Sequence, residues 1–194
     1  TPVTGITRRA THVEISSAGY GMEKFDHVFI ACHSDQALAM LRDASPLERE
    51  VLGAIPYHRK DVVLHTDTSL LPRRRLAWSA WNYHRLAGDN AAVAVTYNMN
   101  LLQGLPTQQT YLVTLNNSAA INPDKIIKRL SYDHPVFTPD GIAAQQRQGE
   151  INGVRHSYFC GAYWRYGFHE DGVLSALNAL EHFREKDREQ QLPL

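Results

Sequence analysis

The chain has 194 residues, enough for one good core or for one domain plus part of another. Hydrophobic residues make up 43% and charged residues 21%, as in an ordinary globular protein. Twenty basic residues balance twenty acidic ones, so no global charge favours nucleic acid or an anionic membrane, and no apolar run reaches the ~18 residues of a membrane span.

The chain opens on Thr1-Pro2-Val3-Thr4-Gly5, without the charged-then-apolar pattern of a signal peptide, and reads as a mid-protein start. His12-Val13-Glu14-Ile15 and Gly19-Tyr20-Gly21 predict a hairpin with a glycine-bearing turn. Phe25-Asp26-His27-Val28-Phe29-Ile30-Ala31-Cys32 is a continuous apolar run, fit for a strand buried on both faces. It runs into the N-cap His33-Ser34-Asp35 and a helix over residues 36–41. A second helix spans 46–53, with Pro46 at its first position and Gly53 at its end.

Residues 60–135 are strand-rich. Candidates are Asp61 to His65, Leu76 to Tyr83, Ala92 to Tyr97, Thr110 to Leu115 and, more weakly, Ile126 to Tyr132. Turns at Gly88-Asp89-Asn90 and Gly104-Leu105-Pro106 punctuate them, and short connections favour an antiparallel sheet. A helix near Pro139 to Gln148 leads to the strand Tyr158-Phe159-Cys160-Gly161. The last helix runs from about Gly172 to Lys186, with Val173, Leu174, Leu177, Leu180 and Phe183, or the offset Ala176, on its apolar face.

Cys32 and Cys160 are too few for a disulfide framework and sit in apolar runs. Free buried thiols in a reducing, cytoplasmic setting are the default, with a lone disulfide as the alternative. Ten histidines do not reproduce a zinc-ligand spacing, no Cys pair accompanies them, and no metal is expected. No Gly-x-Ser-x-Gly elbow exists for a hydrolase. Arg73-Arg74-Arg75 reads as a solvated turn. Trp78 to Tyr83 carries aromatics on both strand faces, which suits a core and also the wall of an apolar pocket. Gly161, Gly167 and Gly172 surround a helix start. A glycine there lets a ligand approach the backbone and the helix dipole, or merely eases a strand-to-helix connection.

Phe25 to Cys32 resembles the "yDhVVlAt" strand of flavin-containing amine oxidase-like proteins. Leu64 to Pro72, Trp78 to Tyr83, Val95 to Asn100, His134 to Phe137 and Tyr166 to Gly172 resemble one bacterial branch, described as predicted NAD/FAD-binding proteins. The similarity runs from about residue 3 to 183, and Tyr166 to Gly172 is its most specific motif. The resemblance implies a mixed α+β fold: an antiparallel-sheet substrate domain plus the C-terminal part of a discontinuous FAD-binding α/β domain. Residues 1–43 and 141–194 would belong to the FAD-binding domain and 44–140 to the substrate domain. Gly161, Ala162, Gly167, Phe168, His169, Gly172 and Val173 would lie along FAD, and Trp78, Trp81, Tyr83 and Tyr97 are the substrate-pocket candidates. Many relatives carry an acidic residue after the glycine matching Gly161, where this chain has Ala162.

The glycine-rich fingerprint that holds the ADP portion is missing, so FAD affinity of this chain alone should be low or absent. The implied activity is that of an FAD-dependent oxidoreductase in the parent protein, moving hydride from a small organic substrate to flavin. No catalytic base is assigned. The alternative is a non-catalytic ligand-binding or protein-interaction module that keeps the fold. Truncation would expose a surface favouring homo-oligomers.

Overall fold

The computed structural model describes residues 1–86 and 93–191, so the turn expected at Gly88-Asp89-Asn90 lies outside the described residues. The chain forms two compact units, residues 1–57 with 135–194 and residues 58–134. Helices and antiparallel sheets combine in a mixed α+β fold. Among the described residues no helix is long and apolar enough to cross a membrane, and no three His, Cys, Asp or Glu side chains form a metal-binding group.

The first unit begins with an antiparallel meander: β1 (Val3–Arg8), β2 (Val13–Ser17) and β3 (Gly21–Phe25). Then come β4 (Val28–Ile30), α1 (Ser34–Met40) and α2 (Pro46–Gly53). Ser45 caps α2 in a full capping box: its hydroxyl takes the Glu48 N–H and the Glu48 carboxylate takes the Ser45 N–H. After the second unit the chain returns through α4 (Pro139–Gln145), α5 (Gln148–Ile151), β10 (Ser157–Phe159) and α6 (His169–Gln191). β10 pairs in parallel with β4, placing Tyr158 beside Phe29. The main core gathers Ile6, Val13, Ile30, Leu52, Ile151 and Phe159 around that pair.

A buried ionic cluster joins the distant segments of this unit. Arg8, 2% exposed, forms a two-pronged pair with Glu48, 1% exposed, one prong being Nη2 to Oε2 at 2.7 Å. Arg8 Nη1 also donates to the Ser157 hydroxyl at 3.0 Å, and Nε donates to Asp43 at 3.1 Å. Arg155 closes the cluster by pairing with the Asp43 carboxylate and donating to the Arg8 carbonyl. Arg155 and His156 both have positive φ, 54° and 63°, which costs non-glycine residues energy. Their side chains hold the turn in place, Arg155 as above and His156 through the Ala10 carbonyl.

The second unit is built on a five-stranded sheet. Its strands are β5 (Tyr57–His65), β6 (Trp81–Arg85), β7 (Val93–Asn98), β8 (Leu112–Leu115) and β9 (Ile126–Pro135), in the order β6-β7-β8-β5-β9. The pairs β6–β7, β7–β8 and β5–β8 are antiparallel. Asn98 caps the short α3 (Met99–Gln103), and Gly104 ends it at φ 62°. Polar side chains are buried between the strands. His65 Nε2 meets the Thr114 hydroxyl at 2.8 Å, and Thr114 meets Thr96 at 2.8 Å. Because the Asp67 N–H donates to His65 Nδ1, the imidazole proton sits on Nε2 and points at Thr114. Asp67 then accepts the Ser69 and Asn122 amides and pairs with Lys125, tying two loops to the sheet.

Several expectations are corrected. The apolar run 25–32 does not form one strand buried on both faces: Phe25 ends exposed β3, β4 has three residues, and Phe29 is 40% exposed. The strand expected at 76–83 starts only at Trp81, because Arg75–Ala77 is a 3-10 turn. The helix near 139–148 breaks at Gln146-Arg147. The last helix turns its predicted apolar face outward: Val173 and Leu177 are 56% and 57% exposed, whereas Asp171, Ser175 and Ala179 are buried. Leu180 is also exposed, while Phe183 and Ala176 pack on Tyr158 and Cys160. Cys32 and Cys160 are free thiols, Cys160 buried and Cys32 half-buried, and burial raises the pKa of both.

Two predictions follow from the buried polar groups. Burial would raise the Glu48 pKa, but the Arg8 guanidinium and the Ser45 N–H outweigh it and hold the carboxyl below its ordinary value. Its stabilising contribution is therefore present at neutral pH and is lost as pH falls through the carboxylate range. Glu48→Gln costs about 3–5 kcal/mol in denaturant melts by stranding Arg8, and a combined Arg8→Met, Glu48→Leu chain loses less than the single variant. In the second unit, burial lowers the His65 pKa, with Asp67 opposing, so the folded ring stays neutral where the unfolded one protonates. Stability should decline as pH drops below about 6.5, and His65→Gln should remove that slope in exchange of the β5 and β8 amides. Asp67 is opposed by its own burial yet held at about 2 by the Asn122 and Ser69 amides, adding a second loss between pH 4 and 2.

Candidate functional site

The strand-turn-helix elbow from Cys160 to Val173 brings all seven residues expected along FAD into one segment. Cys160 N–H still bonds to the Ile30 carbonyl, so the elbow leaves directly from the C-terminal end of the parallel pair. Gly161 follows at φ 155°, ψ 159°, a conformation open to glycine. A Cβ there would also lie 2.5 Å from the Tyr163 ring. Local geometry therefore accounts for Gly161 without a ligand.

A 3-10 turn, Ala162–Trp164, comes next and buries Tyr163 and Trp164. Burial pushes the Tyr163 hydroxyl pKa well up. Gly167, at φ 88°, returns its N–H to the Ala162 carbonyl at 3.2 Å. Phe168 then starts α6: its carbonyl accepts the Asp171 and Gly172 amides, and the Asp171 carboxylate accepts the Phe168 N–H at 3.0 Å. His169 and Glu170 are the first residues of the helix, where amides have no intrahelical acceptor.

Gly172 differs from Gly161. Its φ is not in the left-handed region, and a Cβ on it would approach nothing closer than 4.0 Å, the nearest atoms being Ala162 Cβ and N. A glycine inside a helix costs about 1 kcal/mol relative to alanine. Neither sterics nor backbone geometry requires that cost at Gly172. The missing side chain leaves a bare patch of backbone between the helix start and the first amide of the 3-10 turn.

Three residues that sequence reasoning missed brace the elbow. Ser175, 2% exposed, accepts the Gly161 N–H at 2.8 Å and donates to the Gly172 carbonyl at 2.9 Å. Gln148 donates to the Phe159 and Ser175 carbonyls. Asn152 accepts the Phe159 N–H at 2.7 Å. Nothing in the local sequence marks these residues, because their partners lie up to 30 positions away. Asp171 was legible in principle, as an acid three residues past a helix cap. With the Gly161 N–H already bonded to Ser175, the amides at Ala162 and at the start of α6 are those on offer to a ligand.

The four aromatic pocket candidates lie in the second unit. Trp81 and Tyr83 line a cavity of about 740 Å³ along β6, together with Leu71, Arg73, Asn82 and His84. Tyr97 on β7 meets the Trp81 ring edge-on at 5.2 Å, and burial raises its hydroxyl pKa. Trp78 stands apart: its indole N–H donates to the Pro72 carbonyl and Arg75 lies over its ring at 5.3 Å. Arg75 thus caps an indole, whereas Arg73 lines the cavity.

No protein-family model matches this chain, and no curated protein matches it. Solved structures do. A CLA-producing fatty acid isomerase from P. acnes superposes with a TM-score of 0.59 at 15% identity, over 93% of this chain and 47% of that one. A putative protoporphyrinogen oxidase from an Exiguobacterium species gives 0.59 and 15%, over 94% and 46%. Cyclohexylamine oxidase from Brevibacterium oxydans gives 0.59 and 15%, over 96% and 48%. The chain thus spans about half the length of each of these structures, and what it shares with them is the fold.

Proposed function

We propose that this chain is the C-terminal portion of an FAD-dependent oxidoreductase of the amine-oxidase type, and that the elbow from Gly161 to Val173 is its flavin-facing surface. The observation that carries the reading is Gly172, a helical glycine whose missing side chain the fold itself does not need. A flat ring or a ribityl chain could lie against that patch at van der Waals distance. The Ala162 amide and the positive end of α6 would face its polar atoms. Phe168 and Val173, both more than half exposed, would offer apolar contact. The fold shared with two structures named as oxidases supports the reaction class.

On this reading residues 1–43 and 141–194 serve the flavin side and 44–140 the substrate side. When bound, the flavin ring accepts the hydride, so the protein need supply mainly orientation and a dry surface. The chain's own groups fit such a role, since the elbow is braced by buried Ser175 and Gln148 rather than by solvated side chains. Trp81, Tyr83 and, through its edge contact, Tyr97 are the candidate walls for a small organic substrate. Trp78, held by Pro72, would act only through the loop it fixes.

Two measurements test the reading. FAD titration should show strong uptake by a longer polypeptide that carries this chain together with a dinucleotide-binding half, and weak or no uptake by the 194 residues alone. A longer polypeptide that stays colourless in excess FAD overturns it. Gly172→Ala separates the ligand role from the fold. The variant should melt higher without ligand, by about 1 kcal/mol of stability, while flavin affinity falls at least tenfold. Unchanged flavin affinity in the variant removes Gly172 from the site.

A further inference from the structure

The cavity along β6 is built entirely from residues of the second unit, and its lining carries one sign of charge. Leu70 and Leu71, from the loop after β5, and Trp81 and Tyr83, from β6 itself, give it apolar and aromatic walls. Arg73 and His84 are basic, and no aspartate or glutamate lines the cavity. Asp67, the acid of the adjoining loop, is 3% exposed and committed to the Ser69 and Asn122 amides and to Lys125.

The polar groups around the cavity divide into those spent on the fold and those left over. Asn82 is spent: its Nδ2 donates to the Ser79 and Thr96 carbonyls, and its Oδ1 accepts the Ser79 N–H. Arg75 lies over the Trp78 ring. Arg73 is left over, since among the described residues nothing pairs with its guanidinium. Its backbone is nonetheless anchored, because the Trp78 indole N–H holds the carbonyl of Pro72, the residue before it, at 2.8 Å. His84 is the second such group. Its Nε2 is shielded from solvent and has no hydrogen-bond partner among the described residues. A buried ring nitrogen left unpaired calls for an explanation, and a ligand with an acceptor oxygen supplies one.

We propose that the β6 cavity takes a small monocarboxylate with a flat, apolar body, its carboxylate held by Arg73 and His84. The volume of about 740 Å³ is that of a small-molecule site. A planar guanidinium can give a carboxylate two parallel hydrogen bonds, which are stronger against apolar walls than in open water. A protonated amine of the same shape would meet two basic groups and no acid, so the lining selects against it. Naming this ligand as the substrate rests on the flavin-dependent reading; the charge preference of the cavity does not.

Three probes with one carbon skeleton test the preference by titration calorimetry: trans-cinnamate, cinnamyl alcohol and cinnamylamine. On the 194-residue chain, cinnamate should bind at least tenfold more tightly than the alcohol, and the amine more weakly than the alcohol. Arg73→Gln should bring cinnamate to the affinity of the alcohol while leaving the alcohol unchanged, and Arg73→Lys should restore part of the difference. Arg74→Gln, which removes the same charge one residue outside the lining, should change neither. The longer polypeptide with its dinucleotide-binding half should keep the same order of affinities. Should it fail to take up FAD yet keep that order, the flavin reading falls and the site stands. Should it take up FAD but refuse cinnamate, the cavity is no ligand site in the whole protein and the proposal falls. An amine bound as tightly as the acid, an order indifferent to Arg73→Gln, or no binding of any probe also overturns it.

Discussion

The buried pair between Arg8 and Glu48 is the constraint on which the first unit depends. Glu48 takes part in two structures at once, closing the capping box of α2 and neutralising a guanidinium with no access to water. Arg8 in turn reaches Asp43 before α2 and Ser157 at the start of β10. The meander, the helix and the C-terminal strand are thereby fixed to one point. Burying two charges yields little net stability by itself, because desolvation offsets most of the attraction. What the pair supplies is position. An apolar substitute could slide, whereas a two-pronged guanidinium–carboxylate contact has one geometry.

That position sets the elbow. Ser157 opens β10, and four residues later the chain reaches Gly161 at the end of the parallel pair. A ligand meeting α/β architecture is expected at the carboxyl ends of the strands, and the Gly161–Gly172 segment occupies that end. The opposite end of the pair holds the Arg155-His156 turn, strained in backbone and anchored by side chains. The two ends have different characters: one is locked by ion pairs, and the other is braced by neutral hydroxyl and amide groups around a bare glycine.

The second unit places its polar groups differently. Its sheet contains a buried file of His65, Thr114 and Thr96, and Asp67 carries the file into the loop leading to the β6 cavity. The Trp81 and Tyr83 positions therefore rest on a hydrogen-bonded interior as well as on apolar packing. In the first unit buried polar side chains hold the elbow that bears the candidate site residues, and in the second they hold a loop that lines the cavity beside Trp81 and Tyr83. Such networks are costly if half satisfied, which favours a single arrangement of the loops they hold.

The sequence alone determined the elements that local chemistry dictates. Pro46 and Gly53 announce α2, Gly104 announces a turn, and the glycines around residue 161 mark a strand-to-helix connection. The elbow as the segment of interest was legible for the same reason, since it rests on residues close in the chain, whereas the mixed α+β class followed from the family resemblance. Tertiary structure decided what depends on distant partners. It chose which face of α6 is buried, setting Ser175 and Ala179 inward because Gln148 and β10 lie there, and leaving Val173, Leu177 and Leu180 outside. It shortened the run at 25–32, because only Val28 to Ile30 find a partner in β10. It also separated two glycines that look alike in sequence: Gly161 is required by its own backbone, whereas neither backbone geometry nor a close neighbour calls for glycine at Gly172. Periodicity reports how apolar a face is, but the neighbours that face meets are fixed by contacts far away in the chain.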